Sequence, residues 1–412
     1  MKLFFARSVR FASLGFFFLL GSPAWSATQS VIITGLERTK EETILDLLPR
    51  PLPADFTEAE LDELKRRIKN LALFDWVEVT PKGSELHINV RRKTTLVPVL
   101  GLSTGKTLSD TTVTLGFVEY DIAGSATRLR VQGSYNERGP NVLASLTQHP
   151  YSPNRWATEY QLSYTNSGFR FESGADTWTR HRFGGLVELI SPFKYGSRLQ
   201  FEIALIPYYE LSAPSAGSSA PNSGFHFGGL FEAIYDAYRW DDLEPSGYRL
   251  VAELRPGIFS GTGVFRGETR LKALTSVVPW PRAAFLVNAN LALTNTGNAN
   301  HSLLVGSQQG VRGLSDSLYR TFAQAFVNAE LRYAIQIYQR WYVQPVAFVD
   351  AAIFNSMDAV GNPTYWRPAL STGLGLRVVP TGLVHTLLRV DGSRLFFPTE
   401  SWFIQGGITQ YF

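Results

Sequence analysis

From Leu96 to its C-terminus the chain alternates apolar and polar residues with a period of two, segment after segment. Across 198–205, Leu199, Phe201, Ile203 and Leu205 share one face while Arg198, Gln200 and Glu202 take the other. The pattern recurs at 127–135, where Arg128, Arg130 and Gln132 oppose Leu129, Val131 and Tyr135. It returns at 268–274 (Glu268, Arg270 and Lys272 against Leu271 and Ala273) and at 328–333 (Asn328, Glu330 and Arg332 against Ala329, Leu331 and Tyr333). A period of two is the pleat of a β-strand. The segments run for roughly ten residues, long enough for a tilted strand to cross a bilayer. Their apolar face is rich in aromatics, which suits a lipid-facing exterior around a polar lumen. Lipid leaves backbone groups only two solutions, the helix and the closed barrel. No apolar run reaches about eighteen residues, so the helix is excluded. A soluble sandwich also alternates, but its charged face meets bulk water and its strands are shorter.

Composition agrees. Aromatics make up 13% of the chain, charged residues only 18%, and 35 Gly and 22 Pro supply many turns. The absence of cysteine rules out disulfides, thiolate nucleophiles and zinc–thiolate sites. The chain opens with Lys2, Arg7 and Arg10, an apolar run over 11–20, and the small residues Ala24 and Ser26, which read as a secretory signal peptide over 1–26. The formal charge of +4 counts the leader's three basic residues, so it points to no nucleic-acid partner.

Residues 28–93 have a different pattern from the rest of the chain. Ser30 to Thr34 reads as a short strand and 40–48 as a helix that stops at Pro49. Thr57 and Glu60 have the spacing of a capping box, and Leu61, Leu64, Ile68 and Leu71 recur at helical intervals. Residues 76–80 and 86–90 alternate as strands around a turn at 81–84. The order strand, helix, helix, strand, strand predicts a small α+β domain with two helices on one face of a three-stranded sheet.

In the remainder, 94–412, about twelve strand candidates precede residue 300 and five come after it. The weakest, 169–177, is polar and contains Gly174. Merging it into a neighbouring hairpin gives the even count, sixteen, of a bacterial barrel. Residues 212–223 and 295–319 read as outward loops. The second holds Gln309-Gly310-Val311-Arg312-Gly313-Leu314. Alternation places Glu330 and Asp350 on the lumen side of adjacent strands, and two confined carboxylates need a cation. The planar fork of Arg312 suits them, and Gly310 and Gly313 permit the tight backbone that would aim it inward. Gly373 and Gly375 leave the next strand bare on the lumen side, giving a loop room to lie there.

These motifs carry a resemblance. Val311-Arg312-Gly313-Leu314 resembles the Val-Arg-Gly-aromatic signature of the outer-membrane barrel-assembly and translocation superfamily, with Leu314 in place of the aromatic. The 236–247 turn with Asp241-Asp242 and Pro245-Ser246-Gly247, the late segments 329–332, 348–351 and 371–377, and the terminal Tyr411-Phe412 resemble further parts of it. The small domain resembles a POTRA (polypeptide-transport-associated) domain, and Leu73 to Val79 resemble its helix-to-strand junction. The resemblance implies a mainly β chain: a sixteen-stranded antiparallel transmembrane barrel behind a single POTRA-like β-α-α-β-β domain. It implies a non-enzymatic protein that inserts outer-membrane proteins or translocates polypeptides. The partners implied are the lipid bilayer of a lipopolysaccharide-containing Gram-negative outer membrane and unfolded polypeptide clients. A periplasmic partner at the POTRA-like domain is a further possibility. The alternative is a plain pore or structural barrel whose small domain docks a partner.

Two further sites are expected. Trp76, Val77, Glu78, Val79 and Thr80 would be a free edge for binding extended peptide. The barrel seam would be weak, because Pro98 in the first strand lacks an amide hydrogen and Gly406-Gly407 in the last lack packing side chains. No catalytic site, metal site or cofactor is expected. Gly101-Leu102-Ser103-Thr104-Gly105 matches a nucleophile elbow but lies in strand-like sequence, and the six histidines lack metal-ligand spacing.

Overall fold

The computed structural model describes residues 27–408 except 104–110, 137–138, 171–175, 215–219, 221, 242, 261–262, 264, 296–298, 307–309, 315–318, 358–362 and 385. The leader over 1–26, Thr104, Gly105, Asp242, Gln309 and the terminal Tyr411-Phe412 lie outside the described residues.

Residues 30–92 form β1 (Ser30–Thr34), α1 (Glu41–Leu45), α2 (Glu58–Asn70), β2 (Phe74–Lys82) and β3 (Glu85–Arg92). Thr57 closes α2 with a reciprocal capping box: its hydroxyl accepts from the Glu60 amide, and the Glu60 carboxylate accepts from the Thr57 amide at 2.9 Å. The first helix is shorter than the 40–48 expected, because the chain leaves it by a turn before Pro49. β3 is central, parallel to β1 and antiparallel to β2. Ile44, Leu47, Leu64, Ile68, Leu86 and Ile88 fill the core between helices and sheet, all fully buried. β2 is thus one edge of the sheet, with Trp76 exposed.

After a linker at 93–95 the chain enters a closed antiparallel barrel of sixteen wall strands. The first six are β4 (Leu96–Ser103), β5 (Thr112–Ile122), β6 (Thr127–Asn136), β7 (Gly139–Thr147), β8 (Ala157–Arg170) and β9 (Asp176–Ile190). Next come β10 (Leu199–Pro214), β11 (Gly224–Asp236), β12 (Gly247–Phe259), β13 (Phe265–Val277) and β14 (Ala283–Thr294). Two short pieces, β15 (Leu303–Val305) and β17 (Ile335–Tyr338), flank β16 (Tyr319–Tyr333). The wall ends with β18 (Trp341–Met357), β19 (Pro363–Pro380), β20 (Leu388–Phe397) and β21 (Ser401–Ile408). The expected strand at 169–177 is not separate: Phe169 and Arg170 end β8, Asp176 and Thr177 open its partner β9, and eleven wall strands precede residue 300 with five after it. Several strands exceed the expected ten residues, reaching 18 in β19.

The alternation sorts as the pleat requires. Leu199, Phe201, Ile203 and Leu205 point outward and are about half exposed (46–54%), while Gln200, Ala204 and Glu210 line the inside and are buried. Such an exterior has no aqueous counterpart; it matches lipid.

The small domain packs against the near end of the barrel through many turns at once. Lys40 donates its amide to the Gly124 carbonyl at 2.8 Å, and Thr39 bonds Asp121 at 2.7 Å. Arg67 donates to the Tyr151 carbonyl at 2.8 Å, with Phe193 and Tyr195 stacked 4.8 and 4.1 Å from its guanidinium carbon. Arg66 and Asn70 both donate to the Tyr238 carbonyl. Burial alone would raise the Glu63 carboxyl, but the Arg66 and Arg67 guanidiniums outweigh it and hold it below the ordinary carboxylate range. The linker is pinned too: Thr94 exchanges amide bonds with Gly382 and Val384.

Candidate functional site

Between β14 and β16 the described part of the loop expected at 295–319 turns into the barrel, with Arg312 directed at Glu330 and Asp350. Asn300 to Val305 and Gly310 to Leu314 are largely buried inside. The reason is polar as much as apolar: the segment carries one cation and several amides that the walls can satisfy.

A tight turn presents the cation. The amides of Gly310 and Val311 both donate to the Gly306 carbonyl at 3.1 Å. Gly310 (φ +146°) and Gly313 (φ +89°) adopt backbone conformations that L side chains rarely adopt. A Cβ on Gly310 would meet the Phe326 ring at 2.7 Å, and one on Gly313 would meet the Phe403 ring at 2.9 Å. Arg312 is thereby aimed at β16 and β18. It gives Nε to Asp350 Oδ2 at 2.8 Å, Nη2 to Asp350 Oδ1 at 2.7 Å and Nη1 to Glu330 Oε1 at 2.6 Å. Its backbone amide adds a fourth bond, to Asp350 Oδ2 at 3.0 Å. The Phe348 ring lies 3.4 Å from the guanidinium carbon. Arg312, Glu330 and Asp350 are fully buried, and so is the loop's apolar neighbourhood of Val311, Leu314 and Phe354.

Sequence reasoning found these three residues and missed the rest of the network. Asn328 donates to Asp350 at 2.9 Å and also holds the Gly310 carbonyl. Arg332 clasps the other oxygen of Glu330, with Nε at 2.8 Å. Arg377 pairs with Asp391 and stands 3.6 Å from Glu330. Alternation puts Asn328 and Arg332 on the face of Glu330, so that signal was present. The Arg377–Asp391 pair depends on the β19–β20 register, Gly375 facing Asp391, which no local pattern states. The glycines of β19 are explained differently from expectation. A Cβ on Gly373 would meet Phe348 at 2.4 Å and the Gly392 carbonyl at 2.1 Å, and one on Gly375 would meet Asp391 at 2.1 Å. Their bareness seats the Phe348 ring and the Arg377–Asp391 pair, not the loop backbone.

A second tie crosses the lumen. Asn300 donates Nδ2 to Glu210 Oε1 at 2.7 Å and to Ser212 Oγ at 2.9 Å, and its Oδ1 accepts from Trp178 Nε1 at 2.6 Å. The loop is therefore held to β16 and β18 by Arg312 and to β9 and β10 by Asn300.

At the seam, three pairs of β21 with β4 lie among the described residues, Gln405 with Ser103, Gly406 with Leu102 and Gly407 with Gly101. The ladders on either side, β20–β21 and β4–β5, each run for eight pairs. Pro98 pairs with Phe117 on β5, and over 96–100 β4 has no β21 partner among the described residues. No cluster of His, Asp or Glu suited to a metal ion occurs among the described residues.

No protein-family profile matches the chain, and no curated protein sequence is significantly similar to it. Solved structures are similar in fold. CdiB from Escherichia coli superposes with a TM-score of 0.69 at 12% identity, covering 93% of this chain and 76% of that one. CdiB from Acinetobacter baumannii gives 0.64 at 14% identity, with 93% and 73% covered. BamA from Haemophilus ducreyi lacking POTRA domains 1–3 gives 0.54 at 14% identity, with 92% and 83% covered. The chain therefore shares its fold with these CdiB and BamA structures.

Proposed function

We propose that this chain is a non-catalytic outer-membrane barrel of the insertase or translocase type, working on polypeptides, with its small domain in the periplasm. The observation that carries the reading is the seam: the two strands that close the wall carry Pro98, which has no amide hydrogen to give, and Gly406-Gly407, which lack packing side chains. An edge that parts readily exposes a row of backbone donors and acceptors, which template an incoming strand. The barrel's likeness to CdiB and BamA supports the same reading, as does the Arg312 loop at the position of the superfamily's signature. The plain-pore alternative is disfavoured by the lumen, which the loop crosses from Asn300 to Arg312, and by the small domain seated at its near end. The free edge of β2, with Trp76, Val77, Glu78, Val79 and Thr80, would receive extended clients before they reach the seam.

The test is insertion of a reporter barrel protein into liposomes with and without this chain. Faster appearance of folded, protease-resistant reporter in its presence is expected. Equal rates, together with a steady ion conductance through this chain, would favour the pore.

A further inference from the structure

Two adjoining cavities of about 410 and 420 Å³ lie inside the barrel beneath the Asn300 tie. They share Arg182, Arg266, Glu268 and Arg270 as walls, and Arg180, Arg255 and Arg320 complete the cationic lining. Six guanidiniums thus face one lining carboxylate. Glu268 is already engaged twice, by Arg266 at 2.6 Å and Arg270 at 2.5 Å. Glu210 and Glu253, on the same inner face, hold Arg182 and Arg255 in place. The Nε of Arg266 is buried without an acceptor among the described residues. On the near side the wall turns acidic: Glu159 faces Glu188, Glu202 faces Glu232, and Glu232 faces Glu253 across adjacent strands.

We propose that this chamber binds a small phosphate anion. Guanidinium forks match the edges of a tetrahedral oxyanion and hold it by charge-assisted hydrogen bonds. Two buried carbonyl oxygens in the same walls, Asn290 Oδ1 and Gln324 Oε1, lack donors among the described residues. Monohydrogen phosphate carries a hydroxyl that can donate to one of them; sulfate at neutral pH carries none. At about 30 Å³ per water, either cavity holds such an ion with part of its hydration shell. The strands separate the chamber from lipid, so the source is free phosphate and not a lipid headgroup. A phosphate there would join β9, β13 and β16 across the lumen.

Thermal unfolding of the full chain in detergent, titrated with phosphate, sulfate or chloride at matched ionic strength, tests this. The melting temperature should rise saturably with phosphate, more than with sulfate, and least with chloride. Arg266→Gln combined with Arg320→Gln should weaken the phosphate response by at least about tenfold. A phosphate response no larger than chloride's, or one that survives in the double variant, would overturn the site. Sulfate matching phosphate would overturn the assignment to a hydrogen-bearing anion. Stabilisation seen only with phosphate-headed lipids would overturn the lumen location.

Discussion

Arg312 meets Asp350 edge to edge, Nε to one carboxylate oxygen at 2.8 Å and Nη2 to the other at 2.7 Å, with both side chains fully buried. Removing the cation leaves Asp350 with the neutral donors Asn328, Ser371 and the residue-312 backbone amide, while Glu330 keeps Arg332 and Arg377 nearby. Arg312→Ala should therefore destabilise the barrel by about 3 kcal/mol, the lower end of the cost of breaking a buried pair. Arg312→Lys should fall between, since an ammonium restores charge without the fork. Thermal unfolding of the three proteins decides it; a variant as stable as wild type would mean the loop is held by its apolar contacts alone.

The bare face of β19 gives a paired prediction. A methyl at Gly373 meets a carbonyl at 2.1 Å and the ring that underlies Arg312, whereas one at Gly392 finds nothing closer than 3.9 Å. Gly373→Ala should cost about 2–3 kcal/mol and Gly392→Ala much less. Equal losses in chemical denaturation would show that Phe348 can move aside.

Alternation at 198–205 and 328–333 was enough to sort exterior from lumen, and the spacing of Thr57 and Glu60 located the second helix. The tie at Asn300 was not foreseen, because a Ser, Asn and Gly-rich stretch reads as solvated until partners such as Glu210 and Ser212 are known. The docking of the small domain was invisible for another reason. Its acceptors include the backbone carbonyls of Gly124, Tyr151 and Tyr238, and a carbonyl has no residue identity.

Docking should depend on pH through His149. Burial, with Arg155 beside it and only Asp46 opposing, pushes this imidazole down to about 4, and its Nε2 accepts from Arg155 at 2.8 Å. An unfolded histidine takes its proton near 6.5, so between about pH 6.5 and 4 the unfolded chain binds more protons. Stability is full above about pH 6.5 and falls as pH drops toward 4, by an amount of order 3 kcal/mol. Glu63, held below the ordinary carboxylate range, adds a loss in the same direction only at lower pH. His149→Gln, which keeps a neutral acceptor, should flatten melting temperature against pH within that window. An unchanged slope would assign the dependence elsewhere.

The edge of β2 can be probed at adjacent residues. Neighbouring amides in an edge strand alternate between the ladder and the open side. Of Glu78→Pro and Val79→Pro, one removes an outward donor and the other a bond to β3. Peptide binding to the full chain, followed by fluorescence anisotropy, should weaken in the variant that stays folded. If the folded variant binds as wild type does, clients use another surface.

Opening of the seam is the central claim, and a lock across it is the most direct test. Leu102 faces Gly406, and the chain has no cysteine to confuse the result. Leu102→Cys with Gly406→Cys should form a disulfide that joins β4 to β21. The oxidised protein should lose reporter insertion into liposomes and regain it on reduction, with each single variant active throughout. Full activity in the oxidised, locked protein would contradict a mechanism that opens the seam and leave the lumen as the route.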